Sequence, residues 1–135
     1  MTPWHFVLGY AGLLPFIGLL ILMGLDYSPA AFWLLSYAAL IYSFLGGVQW
    51  MATLNASNGQ HKTLKQWVSV LVMLWAWLWL IVPQMDWFIL AGLSFWSLWI
   101  YERALFNETY AINFMKMRRN LSLVAGLSLL LAGLL

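Results

Sequence analysis

Residues 5–25 of the chain read HFVLGYAGLLPFIGLLILMGL, and this run decides the fold class. A helix needs roughly 20 mostly apolar residues to cross the hydrocarbon core of a bilayer, which is about 30 Å thick. The run meets that length and carries no acidic or basic side chain apart from His5. Pro15 interrupts it and predicts a kink beside Gly9 and Gly12. The run is therefore predicted to be a kinked membrane-spanning helix.

Four further apolar runs follow along the chain, and each is long enough to be considered as a span. The last is the shortest, because its uninterrupted apolar part corresponds to roughly 22 Å at about 1.5 Å per residue. It would need a locally thinned bilayer or would cross only in part, and of these two we expect it to cross. The sequence thus predicts an all-α integral membrane bundle, a single domain over 1–135, with five transmembrane helices at about 5–25, 30–54, 66–82, 87–104 and 118–135.

Short polar stretches separate these runs. Residues 26–29 and 83–86 contain the prolines and aspartates typical of tight turns, and 55–65 is polar enough to be a solvated loop. Residues 106–117 mix polar and aromatic side chains, which favours an interfacial segment lying on the membrane.

Overall composition supports the same class. Hydrophobic residues make up 64% of the 135 positions and charged residues 7%, against about 45–50% and about 25% in soluble domains. A small soluble domain buries only part of its surface and could not hide so much apolar area. A lipid bilayer is therefore the first partner that we expect.

The distribution of positive charge predicts the orientation. Basic residues favour the cytoplasmic side of a membrane protein. With five spans, the N-terminus, the 55–65 loop and the 103–119 region share one side, and the other side receives the turns with Asp26 and Asp86. We therefore predict a multi-pass inner-membrane protein with a cytoplasmic N-terminus and a periplasmic C-terminus. All six basic residues would lie on the cytoplasmic side, namely Lys62, Lys65, Arg103, Lys116, Arg118 and Arg119.

Several function classes find no support in the sequence. There are no cysteines, so thiolate metal sites and cysteine nucleophiles are excluded. His5 and His61 have no companion ligands at useful spacing, and a net charge of +2 builds no basic patch for nucleic acid. No nucleophile–base pair or phosphate loop is present. We expect neither catalysis, nor a metal, nor a cofactor, nor nucleic-acid binding.

Charged residues near the ends of the last two spans form one candidate site. Glu102 and Arg103 are expected to lie close to Arg118 and Arg119 at the cytoplasmic edge. They would either bind an anion or a lipid headgroup, or form an interfacial ion-pair cluster that fixes the helix ends. The ion-pair cluster is the simpler interpretation.

A second candidate is a pocket inside the bilayer, which would take a porphyrin, a quinone or a lipid. Ten tryptophans are present, and three of them lie nearer mid-membrane than the interfaces. The structural alternative is that these indoles fill the core and that the small residues only allow close helix packing, within the monomer or in a homodimer. The residues concerned are Pro15, Ser43, Gly46, Gly47, Gln49, Trp75, Trp77 and Trp96.

Several strings resemble a known family. The stretch from Tyr37 to Trp50, YAALIYSFLGGVQW, contains a Ser-Phe-Leu-Gly-Gly-x-x-Trp core, and LGYAGLLPF at 8–16 is similar to the family's opening. Arg118 followed by Leu-Ser-Leu at 121–123 resembles its last helix. The family is numbered 3429 among the domains of unknown function and is related to the eukaryotic transmembrane protein 69. The resemblance implies a small polytopic inner-membrane protein, with Gln49 at a position where members often have His.

Two functional hypotheses remain open at this point. The first is a non-catalytic interaction or assembly protein, with other membrane proteins as partners, because small-residue stripes are present and catalytic groups are not. The alternative is a binder or carrier of a lipophilic small molecule in the tryptophan-lined pocket.

Overall fold

The computed structural model describes residues 3–55, 62–82, 86–106 and 110–135. The regular secondary structure of these residues is helical and includes no strand, so the all-α prediction is confirmed for them. The first two helices form one broken rod, which gives five rods among the described residues. In chain order the helices are α1 (Pro3–Ala11), α2 (Leu14–Gly24), α3 (Pro29–Asn55), α4 (Lys62–Ile81), α5 (Trp87–Leu105) and α6 (Ile112–Leu134).

The break between α1 and α2 lies just before Pro15. Proline lacks an N–H group and clashes with the preceding turn, but it is tolerated in the first turn of a helix. The chain therefore leaves the helix at Gly12 and starts again at Leu14, with the proline at the beginning of α2. The Tyr37 hydroxyl of α3 donates a hydrogen bond to the Gly12 carbonyl at 2.8 Å. A side chain of a neighbouring helix thus satisfies a backbone group at the break.

Helices α3 and α4 pack closely along their length. The contact depends on Gly46, because a Cβ atom there would lie 2.6 Å from the Ser69 carbonyl oxygen of α4. The neighbouring Gly47 has open space around the same position. Only one of the two adjacent glycines is therefore required for the close approach of the helices.

Helices α5 and α6 form the second closely packed pair. Asp86 caps α5 by accepting a hydrogen bond from the Phe88 backbone N–H at 3.3 Å. The indole of Trp96 lies directly against Gly126 of α6, where a larger residue would clash. The glycine therefore makes room for the tryptophan.

Aromatic rings from four helices meet in the core. Phe95 of α5 contacts Phe16 of α2 and Tyr42 of α3 edge to face, with centroids 6.0 and 5.3 Å apart. Trp79 of α4 packs on Tyr42 at 5.0 Å. Edge-to-face pairs at such distances add to the energy of burial. This cluster ties the α3–α4 pair to α2 and α5.

The outer surface of the bundle is apolar. Large hydrophobic side chains such as Leu40, Phe44, Leu71 and Ile100 are each more than half exposed. Within the described ranges, three helices are long and apolar enough to cross a membrane. They are Pro3–Gly24, taken across its break, Pro29–Leu54 and Lys62–Ile81, with mean hydropathies of 2.3, 1.6 and 1.6. Helices α5 and α6 are of comparable length but carry charged residues, which lower their mean hydropathy.

Two helices begin earlier than the sequence indicated. Helix α4 starts at Lys62, inside the predicted 55–65 loop, and α6 starts at Ile112, inside the predicted interfacial segment. Met115 and Met117 are buried in the first turns of α6, so burial against the bundle extends the helix there. Three parts of the predicted loops, 56–61, 83–85 and 107–109, lie outside the described residues, and His61 is among them.

Candidate functional site

Four buried polar side chains join α3, α5 and α6 at one end of the bundle. Gln49, Glu102, Arg118 and Ser122 are each at most 3% exposed, and we refer to them as the polar cluster. Their helices bring together the end of α3, the end of α5 and the first half of α6. This degree of burial is exceptional for charged residues, which are almost never fully buried unless they are paired.

Hydrogen bonds hold both oxygens of the Glu102 carboxylate. Gln49 Nε2 donates to Oε1 at 2.9 Å, and Arg118 Nε donates to Oε2 at 3.0 Å. Arg118 Nη2 also lies 2.9 Å from Oε2, as an ion-pair contact without a second hydrogen bond. Arg118 Nη1 donates to Ser122 Oγ at 2.9 Å. The cluster is therefore a chain of contacts that runs from α3 through α5 to α6.

Helical spacing explains part of this arrangement. Arg118 and Ser122 are four residues apart on α6, so they lie on the same face, one turn from each other. Glu102 lies in the last turn of α5, which packs closely against α6. The carboxylate and the guanidinium therefore meet between two tightly packed helices.

The charges of the polar cluster cancel. One carboxylate faces one guanidinium in a region of low dielectric constant, where an unpaired charge would be very unfavourable. Removing one partner of such a buried pair typically costs about 3–5 kcal/mol, because the other charge remains uncompensated. The cluster therefore fixes how the three helices fit together.

Several buried polar atoms around the cluster have no hydrogen-bond partner among the described residues. They are Gln49 Oε1 and the hydroxyls of Tyr101 and Tyr110. Burial raises the pKa of Tyr110, and the nearby negative charge of Glu102 raises it further. Its hydroxyl is therefore a neutral donor close to the cluster. Such unsatisfied groups usually mark the place of a water molecule or a ligand atom.

Aromatic residues close this end of the bundle. Phe106 is 1% exposed and stacks on Tyr110, with ring centroids 5.0 Å apart. The ammonium group of Lys65 lies 4.9 Å from the Phe106 centroid, in a cation–π geometry. Lys65, which the sequence placed in a loop, is only 8% exposed. It joins the start of α4 to the end of α5.

An apolar cavity of about 440 Å³ lies next to the polar cluster, between the α1–α2 rod, α3 and α6. Phe95 of α5 contributes to its wall, together with aliphatic and aromatic side chains of the other helices. Leu8 of α1 and Phe44 of α3 also line it and are each 67% exposed. The cavity is therefore open at its side, between α1 and α3. In volume it falls in the usual range for a small-molecule site, about 300–1,000 Å³.

The polar side chains in the cavity wall are few. They are His5, Arg118 and Ser122, and the last two belong to the polar cluster. The cavity thus has a long apolar surface with charge-paired groups on one side. This distribution of lining groups suits an amphipathic ligand, because apolar walls supply affinity and a few polar groups fix its orientation.

The three tryptophans of the predicted pocket do not come together at this cavity. Trp75 donates from Nε1 to Ser94 Oγ at 2.9 Å, away from the cavity wall. Trp96 packs on Gly126, and Trp77 is 55% exposed on the outside of α4. The structure thus uses two of them for packing between helices and leaves the third on the surface.

The other residues of the predicted tryptophan-lined pocket do not lie together in the structure. Pro15 starts α2, and Gly46 allows the contact with α4. Ser43 lines a shallow outer groove together with Trp77, whereas Gly47 is exposed. Gln49 is the member that joins the polar cluster.

Of the four charged residues predicted at the cytoplasmic edge, the structure pairs two. Glu102 and Arg118 form the buried ion pair, whereas Arg103 and Arg119 are exposed. Arg119 Nε lies 3.5 Å from the amide oxygen of its neighbour Asn120. The ion pair therefore consists of Glu102 and Arg118 alone, and Arg103 and Arg119 lie on the outer faces of their helices.

Sequence reasoning missed the cavity and its lining. Phe16, Leu45, Met117 and Ala125 look like ordinary apolar residues along the chain, and only their helix faces bring them together. Ser122 entered the sequence analysis only as part of the Leu-Ser-Leu string at 121–123. Its spacing of one turn from Arg118 was the available signal, since two polar groups on one face of an apolar helix favour a shared partner.

These features define the class of protein. The part of the chain that the structure describes is an all-helical bundle with helices long and apolar enough to cross a membrane, and with a buried polar cluster beside an open apolar cavity. The chain belongs to the family described as "Protein of unknown function (DUF3429)", whose model matches residues 1–134. Neither a curated protein nor a solved structure is detectably similar to it.

Proposed function

We propose that the protein is a multi-pass inner-membrane protein whose five helical rods all cross the bilayer. The apolar outer surface and the three long apolar helices support this proposal. The basic residues lie near the start of α4, the end of α5 and the start of α6. The polar cluster and the Lys65–Phe106 contact hold these three helix ends together at one end of the bundle. Positive charge favours the cytoplasm, so this end is cytoplasmic and the C-terminus is periplasmic.

Within this arrangement, the protein binds a lipophilic small molecule without catalysing a reaction on it. The observation that carries this proposal is the apolar cavity of about 440 Å³. Its side opening lies between exposed apolar residues of α1 and α3, where lipid tails would surround the protein. A lipophilic molecule could therefore enter from the bilayer without crossing water.

The cavity makes ligand binding a better-supported function than assembly with other membrane proteins. Assembly was favoured because of the small-residue stripes, but Gly46 and Gly126 serve contacts within this chain. Of the glycines on α3, Gly47 is left for a contact with another chain. Assembly therefore remains the second candidate, with that face of α3 as the place where a partner helix would approach.

The test is photo-crosslinking in lipid nanodiscs with a diazirine-bearing long-chain ketone. Leu121 lines the cavity and is half-buried, so Leu121→Trp should fill the space. Leu131→Trp is the matched control, because Leu131 is exposed on the same helix and away from the cavity. Crosslinks should map by peptide mass spectrometry to the α3 and α6 residues of the cavity. They should be lost in Leu121→Trp and retained in Leu131→Trp.

Equal labelling of the wild type and both variants would show only contact with bulk lipid, and the binding proposal would then be wrong. Stoichiometric recovery with a second membrane protein, together with equal labelling, would favour assembly.

A further inference from the structure

The wall of the cavity shows which kind of polar group its ligand carries. We infer that the ligand is an uncharged, single-chain lipophile whose head is a hydrogen-bond acceptor, such as a carbonyl oxygen, placed against Ser122 and Arg118. This inference rests on the proposed binding function and names the ligand class. It follows from three separate observations, on charge, on hydrogen-bonding capacity and on volume.

The charge of the head follows from the ion pair. Arg118 already faces Glu102, with Nε 3.0 Å and Nη2 2.9 Å from Oε2, so its charge is compensated. An anionic head beside Arg118 would also stand close to the Glu102 carboxylate, and a cationic head would stand close to the guanidinium. In a region of low dielectric constant either charge would be unpaired and strongly unfavourable. An uncharged head avoids both penalties.

The hydrogen-bonding character of the head follows from Ser122. Its oxygen accepts from Arg118 Nη1 at 2.9 Å, and its own hydroxyl hydrogen has no acceptor among the described residues. A serine hydroxyl can donate one hydrogen bond while it accepts another. Arg118 is a donor only, because a guanidinium has no acceptor atom. The polar groups that the cluster presents at the cavity therefore require an acceptor.

The size of the ligand follows from the cavity. About 440 Å³ lies at the lower end of the range for small-molecule sites, which reaches about 1,000 Å³. Two of the polar lining residues, Arg118 and Ser122, belong to α6, a third is His5 of α1, and the remaining wall is apolar. One chain with a small head fits these dimensions, whereas a phospholipid with two chains would leave most of its surface outside.

The experiment compares four competitors of equal chain length against the photoreactive ketone. They are 2-hexadecanone, hexadecyl sulfate, hexadecyltrimethylammonium and hexadecane, all at the same mole fraction in the nanodisc lipid and with the two ions below their critical micelle concentrations. We expect 2-hexadecanone to compete at least tenfold more strongly than either ion. Hexadecane should compete less strongly than the ketone but more strongly than the ions. Each competitor is also measured in Leu121→Trp, so that only labelling inside the cavity is counted.

A paired variant isolates the hydrogen bond. Ser122→Ala should weaken competition by 2-hexadecanone by about two- to tenfold, which is the factor supplied by one hydrogen bond. It should leave competition by hexadecane unchanged, because the alkane accepts no hydrogen bond. Ser128→Ala is the control, since Ser128 is buried on α6 but does not line the cavity. An equal loss for ketone and alkane would overturn the assigned hydrogen bond.

The two proposals fail in different ways. Suppose that hexadecyl sulfate or the ammonium ion competes as strongly as the ketone in the wild type but not in Leu121→Trp. The inference of an uncharged head would then be wrong, while the proposed binding function would stand. If no labelling depends on the cavity, the binding function is wrong and the ligand class falls with it.

Discussion

Glu102 of α5 and Arg118 of α6 form an ion pair of which both side chains are at most 4% exposed, with Arg118 Nη2 2.9 Å from Glu102 Oε2. The pair closes the polar end of the apolar cavity, since Arg118 also belongs to the cavity wall. One contact therefore serves two purposes. It fixes α5 against α6, and it sets the charge that the proposed ligand would meet.

Removing Arg118 alone should destabilise the fold strongly. Arg118→Met leaves Glu102 buried without a counter-charge, and the expected loss is about 3–5 kcal/mol. The apparent melting temperature in mild detergent measures this loss. Arg119→Met is the matched control, because Arg119 is the exposed neighbour. The double variant Arg118→Met with Glu102→Gln should recover much of the loss, since no charge then remains buried. Equal melting temperatures for the two single variants would contradict the buried ion pair.

Replacing Gln49 tests the third member of the polar cluster. Gln49→Leu removes the donor to Glu102 Oε1, and a lost buried hydrogen bond of this kind costs about 1–3 kcal/mol. Gln49→His keeps a ring N–H that can donate, so we expect it to retain most of the stability. Thermal unfolding of the purified variants is the measurement. If the leucine variant is as stable as the histidine variant, the hydrogen bond to Glu102 contributes nothing.

The two adjacent glycines of α3 should respond differently to alanine. A Cβ atom at Gly46 would lie 2.6 Å from the Ser69 carbonyl oxygen, so the backbones must separate, at a cost of about 1–3 kcal/mol. The same change at Gly47 meets open space and should be neutral or slightly stabilising, because alanine favours a helix more than glycine. Melting temperatures of Gly46→Ala and Gly47→Ala are compared directly. The reverse order would contradict the packing of α3 on α4.

The cation–π contact should be measurable against a nearby lysine. Lys65→Met removes the ammonium from the Phe106 ring, and we expect a loss of about 1 kcal/mol. Lys62→Met, three residues earlier on α4, changes an exposed side chain and should have no effect. Thermal unfolding again provides the comparison. Equal stability of both variants would show that the contact between Lys65 and Phe106 contributes nothing to the stability of the fold.

The proposed orientation has a direct test. A green fluorescent protein fused to the N-terminus should fluoresce, and alkaline phosphatase fused to the C-terminus should be active, because five crossings place the ends on opposite sides. The control is the same phosphatase fused after Ala104, near the cytoplasmic end of α5, which should be inactive. An inactive C-terminal fusion with an active fusion after Ala104 would contradict the orientation.

The broad fold was predictable from the sequence, because long apolar runs and the separating polar stretches give the helices almost directly. The start of α6 was not, since Lys116 and Asn113 favour an interface while the burial of Met115 and Met117 extends the helix. That burial depends on contacts with other helices. Local polarity could not reveal it.

The candidate site was only partly predictable, for a related reason. Sequence position gives the depth of a residue along a helix but not the neighbour that it faces. The proximity of Glu102 and Arg118 was therefore predicted, whereas the choice of Arg118 over its neighbours and the addition of Gln49 required the packing of α3, α5 and α6. The tryptophans stood at suitable depths, but Trp75 and Trp77 lie on faces away from the cavity.

The most direct test of a ligand cavity is native mass spectrometry of the protein purified from its own membranes in mild detergent. We predict one bound lipophile of low mass on the wild type and on Leu131→Trp. The same adduct should be absent from Leu121→Trp, which fills the cavity. An adduct-free wild type, or an identical adduct on all three proteins, would contradict the account.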